Sequence, residues 1–155
     1  MFEAAGSSLG KALPVIFAAG LMSAMAAQAF AGTDGLSLSD GWMRIVVASR
    51  PAAGYFILRN KGSAERKLVG ASSPGCGMMM LHRSKAENGV DKMMSVKAIT
   101  VPAHGSIRFA PGGYHIMCMQ PKAIVKPGHS VPVTLSFGDG STLTADFTVR
   151  GAISK

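Results

Sequence analysis

Residues 130–149 read SVPVTLSFGDGSTLTADFTV, two short runs around the turn Gly138–Gly140. A glycine-rich turn between two such runs favours a β-hairpin. In the second run the apolar side chains occupy every second position: Leu143, Ala145, Phe147 and Val149. This period of two predicts a strand with one face in a core and the other in solvent. This stretch therefore predicts two paired strands, which agrees with an all-β fold.

The rest of the sequence after residue 31 carries the same signals. Short runs of alternating or β-branched residues are separated by Gly, Pro, Asn and Ser, without sustained helical periodicity. The predicted strands are Gly41–Ala48, Ala53–Asn60, Arg66–Ser72, Met78–His82, Met94–Ile99, Ser106–Phe109, His115–Met119, Ser130–Phe137 and Thr142–Val149. Many short strands at this spacing are typical of a two-sheet sandwich. We expect one domain over residues 32–155.

The N-terminal residues 1–31 are predicted to be a signal peptide. An apolar run at 12–27 follows Lys11 and ends in small residues, and both 27–29 and 29–31 fit the small-x-small cleavage pattern. The alternative is an uncleaved membrane anchor, but the run is shorter than the ~20 apolar residues that a spanning helix needs. We therefore expect an exported, periplasmic protein with no membrane association after cleavage.

The chain is strongly basic. It has 16 Lys and Arg against 8 Asp and Glu, a net charge of +8. Such a surface attracts acidic partners. Nucleic acid is a common partner of basic proteins, but no interleaving of aromatic and basic residues indicates base stacking here. A solvated basic surface is the simpler interpretation, and we expect a monomer with no nucleic-acid partner.

Two histidines and two methionines give the strongest functional signal. They are His82, Met93, His115 and Met117, separated by ten, 21 and one residue. Imidazoles and thioethers suit Cu(I), whereas thioethers are poor ligands for hard cations. Strand alternation puts His115 and Met117 on one face, about 6–7 Å apart. The composition alone does not distinguish Met93 from its neighbour Met94.

The other methionines and the tryptophan are interpreted structurally. Met78, Met80 and Met119 are expected to fill the core, the usual role of methionine, while Met79 is compatible with either role. Trp42 is expected to pack in the core near the first strand, with shielding of a metal as the alternative. Two histidines next to Gly or Pro are expected to lie on the surface: His104 and His129.

The two cysteines, Cys76 and Cys118, are predicted to form a disulfide. An exported protein experiences an oxidising compartment. A bridge closing a loop of this length contributes ~3–4 kcal/mol in the chain-entropy model. Cys118 directly follows Met117, and a free thiolate there would be a strong Cu(I) ligand. Free thiols therefore remain the alternative.

The ligand spacing and its flanks resemble the PCu(A)C family of periplasmic copper chaperones. That family's motif is His, ten residues, Met, 21 residues, His, one residue, Met, which this chain matches. The stretches AGYFILRN at 53–60, LVGASSP at 68–74 and PGGYHIM at 111–117 are also similar to the family. The resemblance implies a cupredoxin-like Greek-key β-sandwich, and it implies that Met93 rather than Met94 is the ligand.

The resemblance also implies a function. A family member would hold Cu(I) with two His and two Met and pass it by ligand exchange to the dinuclear copper centre of cytochrome c oxidase. Some members bind Cu(II) in a His- and Met-rich C-terminal tail, and this chain ends at Lys155 without one, so a Cu(II) role is not expected. Many members read His-Glu-Met at the first ligand, whereas this chain reads His82-Arg83-Ser84, which would change affinity or partner choice.

Three other functional classes compete with a chaperone. A copper buffering or resistance protein would use the same site without a dedicated acceptor. A blue-copper redox protein would need a Cys thiolate beside two His, which requires Cys118 to join the site. A non-metal interaction domain would not respond to Cu(I). We expect no enzyme, because no Ser-His-Asp order, acid pair or phosphate-binding loop is present in the sequence.

Overall fold

The computed structural model describes residues 33–152, which form ten β-strands and no helix within that range. The predicted signal peptide, residues 1–31, lies outside the described residues. The same range contains no helix that is long and apolar enough to cross a membrane. The strands are β1 (Leu36–Arg44), β2 (Ala52–Asn60), β3 (Arg66–Ser72), β4 (Cys76–Glu87), β5 (Val90–Ser95), β6 (Ile99–Val101), β7 (Gly105–Phe109), β8 (Tyr114–Pro121), β9 (Ser130–Phe137) and β10 (Thr142–Arg150).

All ten strands belong to one hydrogen-bonded sheet in the order β5-β4-β8-β7-β2-β1-β10-β9-β3-β6. The pairs β1–β10 and β7–β8 are parallel. The sheet folds over on itself, because β3 contacts β4 and β6 contacts β2 and β7 although they stand far apart in the order. The predicted cupredoxin-like β-sandwich is confirmed, with hydrogen bonds that run continuously from one layer into the other.

The core lies between these layers and is built from alternate residues of the strands. Phe56 stacks on Phe109 with ring centroids 4.0 Å apart and meets the edge of Phe147 at 5.6 Å. Burying one such side chain contributes about 1.5–3 kcal/mol. In β10, Phe147 and Val149 are buried, while Thr142, Thr144 and Thr148 on the other face are exposed. The predicted alternation of the last strand is therefore confirmed.

The first strand begins and ends earlier than predicted. The sequence predicted Gly41–Ala48, whereas β1 spans Leu36–Arg44 and includes a bulge between Ser39 and Trp42. The apolar residues after the strand include Val46, which is 67% exposed. β-Branched residues raise strand propensity wherever they occur, and here they continue past the last paired residue, Arg44.

The predicted strand Met94–Ile99 is two strands, β5 and β6. β5 pairs with β4 at one end of the sheet order, whereas β6 pairs with β3 at the other end. Residues 96–98 therefore carry the chain from one layer to the other, which local sequence does not encode. β4 also runs past His82 to Glu87, where Asn88 and Gly89 turn the hairpin with φ of 54° and 75°.

Candidate metal centre

The pairing of β4 with β8 brings the two predicted histidine ligands together. His82 lies directly opposite His115 in the antiparallel register. Their ring centroids are 5.7 Å apart, with the planes at 82°. Two imidazoles that are 33 positions apart in the sequence thus become nearest neighbours on one face of the sheet.

One backbone oxygen fixes the tautomer of His115. The Nδ1 atom of His115 lies 3.1 Å from the carbonyl oxygen of Gly113. A carbonyl oxygen can only accept, so Nδ1 carries the proton and Nε2 presents its lone pair. The same oxygen accepts the backbone N–H of Ser84 at 2.9 Å. Gly113 therefore connects the ring of His115 to the β4 strand that carries His82.

Both imidazoles have a buried nitrogen with no hydrogen-bond partner among residues 33–152. These atoms are Nε2 of His115 and Nδ1 of His82. A buried polar atom left unpaired costs about 1–3 kcal/mol, so native proteins seldom keep one without a reason. A metal ion bound by these nitrogens would remove that cost. Two such nitrogens on facing residues are suited to bind one metal ion together.

The electrostatic environment keeps His82 neutral. Burial, and secondly the repulsion between the two rings when both are protonated, lowers the pKa of His82 below its ordinary value. Because only the neutral imidazole offers a lone pair to a metal, the fold holds this side chain in its metal-binding form at neutral pH.

Met117 lies next to the histidine pair. It is two residues after His115 on β8 and on the same face, half-buried, with Met80 opposite it on β4 and Ala53 opposite it on β2. Three of the four predicted ligands are therefore close neighbours on two adjoining strands. The His-x-Met spacing produces this directly, because alternate residues of a strand share a face.

Met93 lies on the same face but further out. It is opposite Ser84 on the edge strand β5, one position beyond the histidine pair and on the side away from Met117. Its side chain is 60% exposed. Met94 is opposite Arg83 and therefore points to the other face. The register thus places Met93, and not Met94, on the face that carries the histidine pair.

An aromatic wall that the sequence did not reveal borders the histidine pair. The ring of Tyr55 lies 6.3 Å from that of His115, and Trp42 lies 4.7 Å from Tyr55. The guanidinium groups of Arg44 and Arg150 lie 5.5 Å and 4.9 Å from the Trp42 ring. The prediction that Trp42 belongs to the core is wrong. Its position just after the β1 bulge puts it, half-buried, on the outer face.

The prediction that three other methionines fill the core is also wrong. Met78 is 57% exposed, while Met80 and Met119 are half-buried on the face that carries the histidines. Met79 is the member of the run that packs against the core. A strand can direct only alternate residues inward, and the inward positions around this run are those of Met79 and Leu81.

The two cysteines form a disulfide behind this face. Cys76 and Cys118 are joined, with Cα atoms 5.3 Å apart, and both residues are buried. The described part of the chain has no free cysteine. The thiolate that the blue-copper alternative needs is therefore missing from the structure. Residues 33–152 also contain no cluster of three His, Cys, Asp or Glu, and the neighbouring side chains of the histidine pair along β4 and β8 are the methionines Met80 and Met117.

The remaining two histidines lie in exposed loops, as predicted: His104 and His129.

Comparison with known proteins gives a family match over almost the whole described chain. Residues 36–149 match the family model described as "Putative lipoprotein LpqE-like". A protein of Leifsonia xyli subsp. xyli (strain CTCB07), named putative lipoprotein Lxx21020, is 36% identical over 110 residues, which is 70% of this chain and 66% of the relative. The chain thus spans just under two thirds of that protein's length.

Two solved structures share the fold. The copper-bound PCuAC domain from PmoF2 superposes with a TM-score of 0.63 at 20% identity, covering 76% of this chain and 93% of that domain. The solution structure of CuI-DR1885 from Deinococcus radiodurans gives a TM-score of 0.60 at 32% identity, covering 77% of this chain and 78% of the other. Both are described as copper-bound. The face with the unpaired imidazoles therefore lies in a fold that carries copper elsewhere.

Proposed function

We propose that this chain, which belongs to the LpqE-like family of PCuAC-type proteins, is a periplasmic chaperone that holds Cu(I) and passes it to an acceptor protein. One observation carries the proposal. Two buried imidazole nitrogens, on facing residues of β4 and β8, have no hydrogen-bond partner among residues 33–152. The copper-bound form of DR1885, which is 32% identical to this chain, supports the choice of metal.

The proposed ligands are His82, His115, Met117 and Met93. Two imidazoles and two thioethers are all neutral, so the bound ion keeps its single charge, and the soft sulfur atoms favour Cu(I) over hard cations. The first three ligands are already neighbours. Met93 would complete the set from the edge strand, where its side chain has room to move.

The difference in burial between the ligands predicts the order of release. Met93 is 60% exposed and His115 is 3% exposed. An acceptor's ligand can therefore replace the thioether of Met93 first, and His115 would be the last to let go. Stepwise replacement keeps the copper bound throughout, which is what a chaperone requires.

The acceptor we propose is the dinuclear copper centre of a cytochrome oxidase. Arg44 and Arg150 flank Trp42 at the border of the site. Such a basic rim would speed encounter with an acidic docking face. Transfer to a purified oxidase domain should be lost after His115→Ala and Met117→Ala. A deletion strain with copper sensitivity but normal oxidase activity would instead identify a buffering protein.

The direct test is competition for Cu(I) against a chromophoric chelator. The wild-type protein should bind one tight equivalent. The double substitution His82→Ala and Met117→Leu removes two ligands and should weaken binding by more than the roughly 10–100-fold that loss of an outer-shell partner costs. Met94→Leu is the matched control, since Met94 is exposed on the opposite face. Tight binding that survives the double substitution would refute the site.

A further inference from the structure

We infer that a second Cu(I) site, built only from thioethers, lies beside the histidine pair and consists of Met78, Met80 and Met119. In the β4–β8 register Met78 lies directly opposite Met119, and Met80 lies directly opposite Met117. The next position along the strands is the His82–His115 pair. The methionines therefore form two rungs of a ladder that leads to the histidines.

Core packing does not account for these side chains. Met78 is 57% exposed, and Met80 and Met119 are half-buried on the outer face. The hydrophobic gain scales with the apolar area removed from water, so an exposed methionine gains little of it. Met79, on the inner face, fills the core position of this run. Three methionines on the outer face are thus available for another use.

The register places the three sulfur atoms within reach of one ion. Residues directly opposite on antiparallel strands have Cβ atoms about 4.5–5.5 Å apart, and the next rung is roughly 7 Å further along the strand. A methionine side chain has three rotatable bonds and adapts readily to its surroundings. The thioethers of Met78, Met119 and Met80 can therefore converge between the two strands, and thioether ligands select Cu(I).

The disulfide holds this part of the ladder in place. Cys118 lies between Met117 and Met119, and Cys76 is two residues before Met78. The bridge thus ties β4 to β8 directly behind the methionine rungs. The β4–β8 pairing continues past the methionines to Cys76 opposite Pro121. The backbone positions of the methionines are therefore fixed before any metal binds.

The second site lies next to the first along the same two strands, β4 and β8. Met80 faces Met117, so an ion held by the methionines is one rung away from the histidine pair. The second site lacks an imidazole and should bind more weakly. It would receive Cu(I) from outside and pass it to Met117 and the histidines by exchange of one thioether at a time. The second site requires neither histidine.

Titration with Ag(I), followed by NMR of methionine ε-methyl groups labelled with ¹³C, tests this inference. Ag(I) is a soft monovalent cation that needs no reductant, so the disulfide stays intact. In the wild-type protein the first equivalent should shift the methyl signals of Met117 and Met93. The second should shift those of Met78, Met80 and Met119. Signals of Met78 and Met119 that stay unmoved through three equivalents would overturn the second site.

Three variants separate the two sites. Met78→Leu with Met119→Leu should lose the second equivalent and keep the first, and because leucine has a similar volume the melting temperature should not change. The variant with His82→Ala and Met93→Leu should no longer bind the first equivalent of Ag(I). It should still show the methyl shifts of Met78, Met80 and Met119 that belong to the second site. Met94→Leu should keep both. If the variant without Met78 and Met119 still binds a second equivalent of Ag(I), the second site is refuted and the proposed function is not. If the wild type shows no binding at the histidine site, the proposed function is refuted and the second site is not.

Discussion

Replacing His82 with phenylalanine should stabilise the metal-free protein and abolish its response to copper. The Nδ1 atom of His82 is buried without a hydrogen-bond partner among residues 33–152. Phenylalanine keeps an aromatic ring opposite His115 but has no nitrogen to satisfy. The substitution therefore removes a cost that the folded protein bears only in the absence of metal.

The size of the effect follows from burial. An unpaired buried polar atom costs about 1–3 kcal/mol, and because His82 is only half-buried we take the lower end, ~1 kcal/mol. For a folded unit of this size, that raises the melting temperature by about 4 °C. Cu(I) at about a hundred times its Kd stabilises the wild type by ~2.7 kcal/mol, which corresponds to roughly 10 °C. The phenylalanine variant should therefore melt at a higher temperature than the wild type without copper, and at a lower temperature when copper is added.

Thermal unfolding followed by circular dichroism, with and without Cu(I), measures both effects. Met94→Leu serves as the control and should match the wild type under both conditions. Two results would refute the reasoning. A metal-free phenylalanine variant that melts several degrees below wild type would show that the imidazole makes a stabilising interaction. A variant that keeps the copper-dependent rise would show that His82 is not a ligand.

Three further predictions concern the edge strand, the disulfide and a surface turn. Met93→Leu should increase the rate of Cu(I) release to a chelator while leaving the metal-free melting temperature unchanged, because this exposed side chain contributes to binding and not to packing. Replacing Cys76 and Cys118 with alanine should lower stability by about 3–4 kcal/mol in chemical denaturation and leave the first equivalent of Cu(I) bound. Asp139→Asn should lower the melting temperature at neutral pH by an amount that shrinks in acid. The Ser141 hydroxyl and then its N–H hold the pKa of Asp139 below its usual value, so the carboxylate's contribution is full above about pH 4 and disappears as the pH falls through the lowered folded pKa.

For each of these three substitutions, one experimental result would contradict the prediction. Unchanged release from Met93→Leu would exclude that thioether as a ligand. Loss of the tight Cu(I) equivalent in the cysteine variant would show that the disulfide is needed for the first site as well. A melting difference for Asp139→Asn that is constant from pH 7 to pH 2 would show that the charge of the carboxylate is not what stabilises the turn.

Local patterns in the sequence predicted the parts of the fold that depend on one strand or one hairpin. Period-two alternation is a property of a single strand, so it correctly predicts that Phe147 and Val149 of the 142–149 run face the core. The His115–Met117 spacing put both side chains on one face for the same reason. The ligand spacing and its flanks led to the family, which the match over residues 36–149 shows.

The sequence predicts the wrong face for a side chain where the local order of apolar and polar residues is ambiguous. The run Met78–Met80 is apolar at every position, so it shows no alternation, and only the register with β8 determines which side chain faces inward. Trp42 follows a bulge, which displaces the side chain from the face that simple alternation assigns. Tyr55 precedes Phe56, and the sequence around these two aromatic residues does not indicate that Tyr55 lies close to His115. These features depend on partner strands that are distant in the sequence.

The carbonyl oxygen of Gly113 helps to fix the geometry of the histidine pair without using the side chains at positions 83 and 84. This single acceptor holds the ring of His115 through Nδ1 and the β4 backbone through the N–H of Ser84. Neither bond uses a side chain at positions 83 or 84, where this chain differs from many PCu(A)C members. Residues at those two positions can therefore be exchanged to suit a different acceptor surface, while the imidazoles keep their spacing. If the protein is the proposed chaperone, its surface beside the site can thus change without moving the two imidazoles.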